Sequence, residues 1–454
     1  MRGRLSQLAQ NTPAERERYV DLLRAFAIIA VVTGHWLITS IGHDAANRLV
    51  GHSALEDLVD ARPGTWLFQV MPVFFLVGGY ANAASLTSHR RRGDDAVAWL
   101  QDRSGRLMRP TTVLLVTLAV AGLVARLVGA EPSQVRMVTW YATIPLWFLS
   151  AYLFVVLLTP VMYPLHERFG LTVPAALLVL LLFGDIARVL GEKELGYGNF
   201  LFGWLAMHQV GFAWRTGDLP IRPRLGVPLL VAGLLALILL TVVGPYPTSM
   251  INVPGERLQN MSPPSLALLS LATAQLGLIM LLRDRAERWL RRLRPWTVVV
   301  GLNAVVLTLF LWHLTAVILL AGLLDAVNAL PSPAVGSVAW WLFRIPWLIM
   351  LAVVLAALVA IFGRIELRRE RRPRIRPAWL PAGVADLLRR PLPRLLLTVV
   401  GFAAAVVGLF TNSTAPRTGS YLIGLPLAAL IAYLAGAAVL RIQRSIPSAG
   451  RPRD

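Results

Sequence analysis

Runs of about 18 or more apolar residues, each long enough to cross a hydrocarbon core as a helix, recur from one end of this chain to the other. A helix rises about 1.5 Å per residue, so about 20 such residues cover a hydrocarbon thickness near 30 Å. Backbone polar groups left unpaired in lipid cost several kcal/mol each, and a helix pairs its own. Barrel strands would alternate polar and apolar residues, and these runs do not. The expected fold is an all-α, polytopic transmembrane helix bundle of about 12 spans. They are placed at residues 23–40, 65–87, 110–130, 144–163, 171–189, 196–213, 225–244, 264–282, 296–324, 338–363, 393–410 and 419–440. Composition agrees: 15% of residues are charged, against roughly 25% in soluble domains.

The net charge of +20 is distributed by topology, not in a nucleic-acid-binding patch. Segments on alternate sides of the expected spans collect 34 of the 44 basic residues on one side and six on the other. Such a bias places the rich side, and with it both chain ends, in the cytoplasm. The expected location is therefore the inner (plasma) membrane. No stretch near the N-terminus has the apolar run and small-residue cleavage site of a signal peptide. There is no cysteine, which excludes disulfides and thiolate chemistry. The expected organisation is a ten-span core at 1–365, a basic linker at 366–392, two further helices at 393–440 and a cytoplasmic tail at 441–454.

Ionisable groups inside a span cost about 2.5–3.5 kcal/mol near its centre on insertion scales, so each invites a reason. The first span holds Arg24 and His35, eleven residues apart. Eleven steps of about 100° bring both to one face, with a rise of about 16 Å between them. A cytosolic anion gripped at the Arg24 rim could extend to the deeper histidine. The bland alternative is a topology anchor and a core histidine. The second span contains Gly78 and Gly79, which allow close helix approach, and the polar Tyr80, Asn82 and Ser85. Arg103, Arg106 and Arg109 recur at every third position before Pro110 and suit phosphate binding, since guanidinium forks match phosphate oxygens. The ninth expected span carries Asn303 and His313, which could face the first span in a polar cavity. Asp185 and Arg188, three apart in the fifth, are expected to pair on that helix in a structural role. His208 and Gln209 receive no role.

Taken in order, DLLRAFAIIAVVTGHW (21–36), FFLVGGYANAAS, RSGRLMRP, LWFLSAYLFVVLLTPVMYPL (146–165) and FLWHLTAV (310–317) resemble the acyltransferase 3 family of integral membrane acyltransferases. The likeness covers about residues 18–365. It implies transfer of an acyl group from cytoplasmic acyl-CoA, acetyl-CoA in the first instance, to a hydroxyl of a carbohydrate, glycolipid or related envelope or secondary-metabolite acceptor. No permanently bound cofactor and no metal is implied. By the resemblance, His35 matches the catalytic histidine, Arg24 its partner, and Arg103 and Arg106 the arginine motif, with Arg109 continuing the donor-binding series. Tyr80, Asn82, Tyr152, Asn303 and His313 are the positions for contacting the acceptor or supporting the histidine. Many members carry a glutamate shortly after the Trp-…-Leu-Ser of the fourth span, where this chain has Ala151 and Tyr152. The family's optional extracytoplasmic hydrolase-like domain is not expected here, since the stretch after residue 440 is too short to form it.

The residues also support the chemistry directly. A neutral imidazole can take the proton of a hydroxyl as it attacks a thioester, or can itself be acylated. The rival reading is a secondary transporter of a small anionic or sugar-like solute. Transporters of this size usually show repeated halves with correspondingly broken helices, and no such symmetry is visible here.

Overall fold

A computed structural model describes residues 7, 9–13, 16–45, 48–367, 379 and 381–446. Parts of the expected linker (368–378 and 380) and tail (447–454) lie outside the described residues. The fold is an all-α, polytopic helix bundle, and among the described residues eleven helices are long and apolar enough to cross a membrane. The one remaining expected span, the sixth at 196–213, is also helical, at Asn199–Thr216. It falls short in apolarity because it carries Asn199, His208, Gln209 and Arg215, of which the first three are fully buried within the protein and Arg215 is exposed.

By its internal contacts the chain divides into two compact units. The first comprises Met1–Ala84, Val161–Val306 and Leu323–Ala352. It opens with α1 (Arg18–Ile38), which runs straight into a two-stranded antiparallel hairpin of β1 (Thr39–His43) and β2 (Leu49–Ser53). The hairpin falls where a loop was expected. Most of α2 (Met71–Arg91) follows, and after the second unit's first insertion come α6 (Thr172–Leu190), α7 (Asn199–Thr216), α8 (Pro223–Ile238), α9 (Leu266–Leu290) and α10 (Leu293–Ala304). Helix α2 crosses α7 at backbone contact distance. A Cβ on Gly79 would collide with the His208 carbonyl oxygen, and one on Gly211 with that of Leu76. The expected role of Gly79 in close helix approach is met here.

The buried Asp185–Arg188 pair forms as expected, Arg188 Nη1 donating to Asp185 Oδ1 at 2.7 Å. Its setting was not legible in the sequence. Asp185 Oδ2 also accepts from Tyr246 Oη and from the Leu266 amide, both at 2.7 Å. Arg188 Nη2 donates to the Gln259 carbonyl at 2.6 Å. Together they pin the loop 245–265 to α6 and α9. Burial first, and then the bond to Asp185, push the Tyr246 phenol above its ordinary value, so it stays a donor.

The second unit comprises Ser85–Pro160, Leu307–Gly322 and Val353–Asp454. Its long helix α3 (Ala96–Leu127) is capped by Asp95, whose side chain accepts from the Ala98 amide at 2.7 Å. Pro110, expected at a span boundary, lies inside this helix. Helix α4 (Pro132–Thr143) and most of α5 (Leu146–Phe169) follow, then the middle of α11 (Val306–Ala326), the end of α12 (Val338–Leu367), α13 (Ala382–Arg389), α14 (Pro391–Thr414) and α15 (Leu427–Arg444). The α14–α15 hairpin is locked by Arg136. That fully buried guanidinium donates to the carbonyls of Ala415 and Pro416 at 2.9 Å and of Gly424 at 3.2 Å. Burial lowers its pKa, but three carbonyl acceptors suit the charged form.

One expectation is corrected. The ninth span was read as continuous over 296–324, but the helix breaks at Val305, between α10 and α11. Only Val306–Ala326 qualifies as a span. The first amides of α11, Leu307 and Thr308, instead receive the Glu366 carboxylate at 3.0 and 2.8 Å. A carboxylate at a helix start satisfies donors that have no partner within the helix. Asn303 therefore stands on α10 and His313 on α11.

Candidate functional site

In the first unit a single unbroken helix, α1, carries Arg24 and His35, so the shared face inferred from spacing is realised. Arg24 is 26% exposed and is held by a group the sequence reading passed over. Asp21 Oδ1 lies 3.3 Å from its Nη1, and Asp21 Oδ2 takes Arg16 Nε at 2.7 Å. The i, i+3 spacing of Asp21 and Arg24 was a usable signal. Asn303 does reach the first span: its Nδ2 donates to the Asp21 carbonyl at 2.8 Å and to that of Val299 at 2.9 Å. Its buried Oδ1 has no protein partner among the described residues. Beside this cluster Arg283 grips Glu17 through two bonds of 2.9 and 2.8 Å.

His35 is partly exposed, near the far end of α1. Its carbonyl accepts from Thr39 Oγ1 at 2.7 Å, and the Thr39 carbonyl accepts from Arg344 Nη1 at 2.8 Å. The end of α1 that presents His35 is thereby tied to α12. Tyr80 packs edge-on to Trp214, with ring centroids 5.3 Å apart, and Arg215 sits 5.9 Å from its ring. Asn82 is fully buried and faces a different neighbour, His208, at 3.0 Å. That gives His208 the partner the sequence could not supply, and Gln209 likewise donates to the Met162 carbonyl at 3.2 Å.

In the second unit the arginine motif lies on α3, but its members have separate surroundings. Arg103 lies over the Trp99 ring at 5.6 Å, and Arg109 Nη2 donates to the Ile365 carbonyl at 3.3 Å. Arg106 is exposed. A repeat of three drifts about 60° per step on a helix of about 100° per residue, so one shared face is not maintained. Tyr152 stacks on Phe148 at 5.8 Å, Phe148 meets Phe310 at 5.3 Å, and Phe310 meets His313 at 6.0 Å. His313 is fully buried, and its Nδ1 donates to the Phe310 carbonyl at 2.6 Å. In the neutral ring that leaves Nε2 as the acceptor.

The family model described as an acyltransferase domain, acyltransferase 3, matches residues 17–363. The chain belongs to the acyltransferase 3 family. It is a multi-pass membrane acyltransferase. Comparisons with curated proteins and with solved structures gave no match. The acyltransferase 3 match begins just before α1 and ends within α12. It takes in Arg24, His35, the arginine motif and His313, while α13, α14 and α15 follow it.

Proposed function

We propose that this acyltransferase moves an acyl group from cytoplasmic acyl-CoA to a hydroxyl of a carbohydrate, glycolipid or related envelope acceptor, with His35 as the base. The observation that carries the reading is a partly exposed histidine on one helix with Arg24, inside an acyltransferase domain. The imidazole takes the proton of the acceptor hydroxyl as its oxygen attacks the thioester carbonyl. The carbon–sulfur bond then breaks, and the proton passes to the departing CoA thiolate, leaving His35 neutral. Arg24, steadied by Asp21, is suited to the phosphates of the donor, because planar guanidinium donors match phosphate oxygens. The arginine-rich segments face the cytoplasm, where acyl-CoA is found.

Mass spectrometry of envelope glycans and lipids from cells with and without the gene tests the reading. A single acyl mass difference on a hydroxylated component, together with release of free CoA by the purified protein, is the expected result. Solute uptake with no acyl difference would overturn it in favour of a transporter.

A further inference from the structure

The turn that joins α9 to α10 is pinned from within. Leu290 is buried with Ala9, Trp296 and Val299, and its carbonyl accepts from Arg18 Nη1 at 2.8 Å. Arg18 also lies 5.0 Å from the Trp296 ring, whose Nε1 donates to Thr12 Oγ1 at 2.9 Å. Around this turn, Trp289, Arg292, Leu293, Arg294, Pro295 and Val298 line an open concavity of about 610 Å³. Small-molecule sites run to roughly 300–1,000 Å³.

The lining combines two chemistries. Trp289, Leu293 and Val298 are exposed apolar side chains. Leu278 and Leu282, exposed leucines of the same helix, lie on the face of α9 that carries Trp289, each within about 20° of it. On a membrane-spanning helix such a face meets lipid, and tryptophan at its end is a residue type that settles at the headgroup level. Arg292 and Arg294 supply charge. Both are exposed, and neither side chain has a hydrogen bond, ion pair or ring contact among the described residues. Of the acids on that end of α9, Glu287 accepts from the Tyr19 amide at 2.6 Å, and Asp284 lies 3.6 Å from Arg283. Two guanidinium groups beside an apolar surface at headgroup level match a phosphate that carries acyl chains.

We propose that the α9–α10 concavity binds an anionic phospholipid of the cytoplasmic leaflet, the side to which the arginine bias assigns this turn. Arg292 and Arg294 hold the phosphate, and Trp289, Leu293 and Val298 lie against the glycerol and the upper acyl chains. This site goes beyond the transfer reaction and does not depend on its donor. The full chain in a mild detergent is titrated with phosphatidylglycerol, phosphatidylcholine and coenzyme A, and bound species are counted by native mass spectrometry. Phosphatidylglycerol should bind more tightly than phosphatidylcholine. The double variant Arg292→Gln, Arg294→Gln should lose roughly 25-fold in phosphatidylglycerol affinity, about fivefold for each arginine. Replacing both with lysine should recover part of the loss. Arg224→Gln, at an exposed arginine outside the concavity, should have no effect. Equal wild-type affinity for the two lipids would overturn the proposal, and so would phosphatidylglycerol binding that the double glutamine variant retains. A double variant that loses coenzyme A affinity and keeps the lipid would assign the two arginines to the phosphates of a soluble donor instead.

Discussion

His35 differs from the fully buried His208 and His313 in keeping accessible surface. His208 faces the Asn82 amide in full burial, and His313 commits Nδ1 to a backbone carbonyl. His35 keeps accessible surface on a helix whose far end holds an arginine. Glutamine at this position preserves hydrogen bonding but cannot accept a proton. His35→Gln should therefore lower kcat by about 10²–10⁴-fold, the usual contribution of a general base, with coenzyme A affinity retained. A variant that still transfers at the wild-type rate would move the base to His313, whose Nε2 is the acceptor in the neutral ring. The Arg24–His35 relation was readable because it depends only on helix geometry. The pairing of Arg24 with Asp21 was also available from spacing. The partners of Asn82 and Arg136 were not, since they come from 126 residues and about 280 residues away in the chain.

Helices here are held less by apolar burial, which lipid supplies equally well, than by close backbone approach and buried polar bonds. The Asp185–Arg188–Tyr246 cluster is the clearest case, since one fully buried carboxylate serves an arginine, a phenol and the first amide of α9. Removing one partner of such a buried pair costs on the order of 3–5 kcal/mol, because the other charge is left uncompensated. Asp185→Leu should therefore lower the thermal unfolding temperature in detergent markedly. Asp185→Asn, which retains an oxygen acceptor, should lower it less. Equal melting of all three proteins would mean that the loop 245–265 is held by something else. The break at Val305 belongs to this scale too. The residues 302–306, LNAVV, contain neither Gly nor Pro, so nothing local marks a helix end. What receives the freed amides is Glu366, some sixty residues on.

For the whole molecule, membrane orientation is the property on which the proposed chemistry depends, since the donor proposed above is cytosolic. Single cysteines introduced at the exposed positions Ser88 and Ser332 of this cysteine-free chain should react with an impermeant maleimide from opposite sides, Ser88 from the cytoplasm. Labelling of both from one side would undo the span order and the inward-facing arginines with it. The two contact-defined units interleave along the chain, so that Arg24 and His35 belong to one and the arginine motif and His313 to the other. No linker in the sequence marks that division, because it follows which helices touch rather than where the chain is apolar.

The sequence by itself determined that the chain is an all-α membrane protein, where most spans lie, that Arg24 and His35 share a face, and which family the ordered motifs resemble. Each of these rests on hydropathy, helical period or local spacing, which act over tens of residues at most. Only the tertiary structure decided the break before α11, the capture of Asp185 by Tyr246 and Leu266, and the separate surroundings of Arg103, Arg106 and Arg109. Those arrangements are set by which helices pack together, and the choice is made by contacts between residues far apart in the chain.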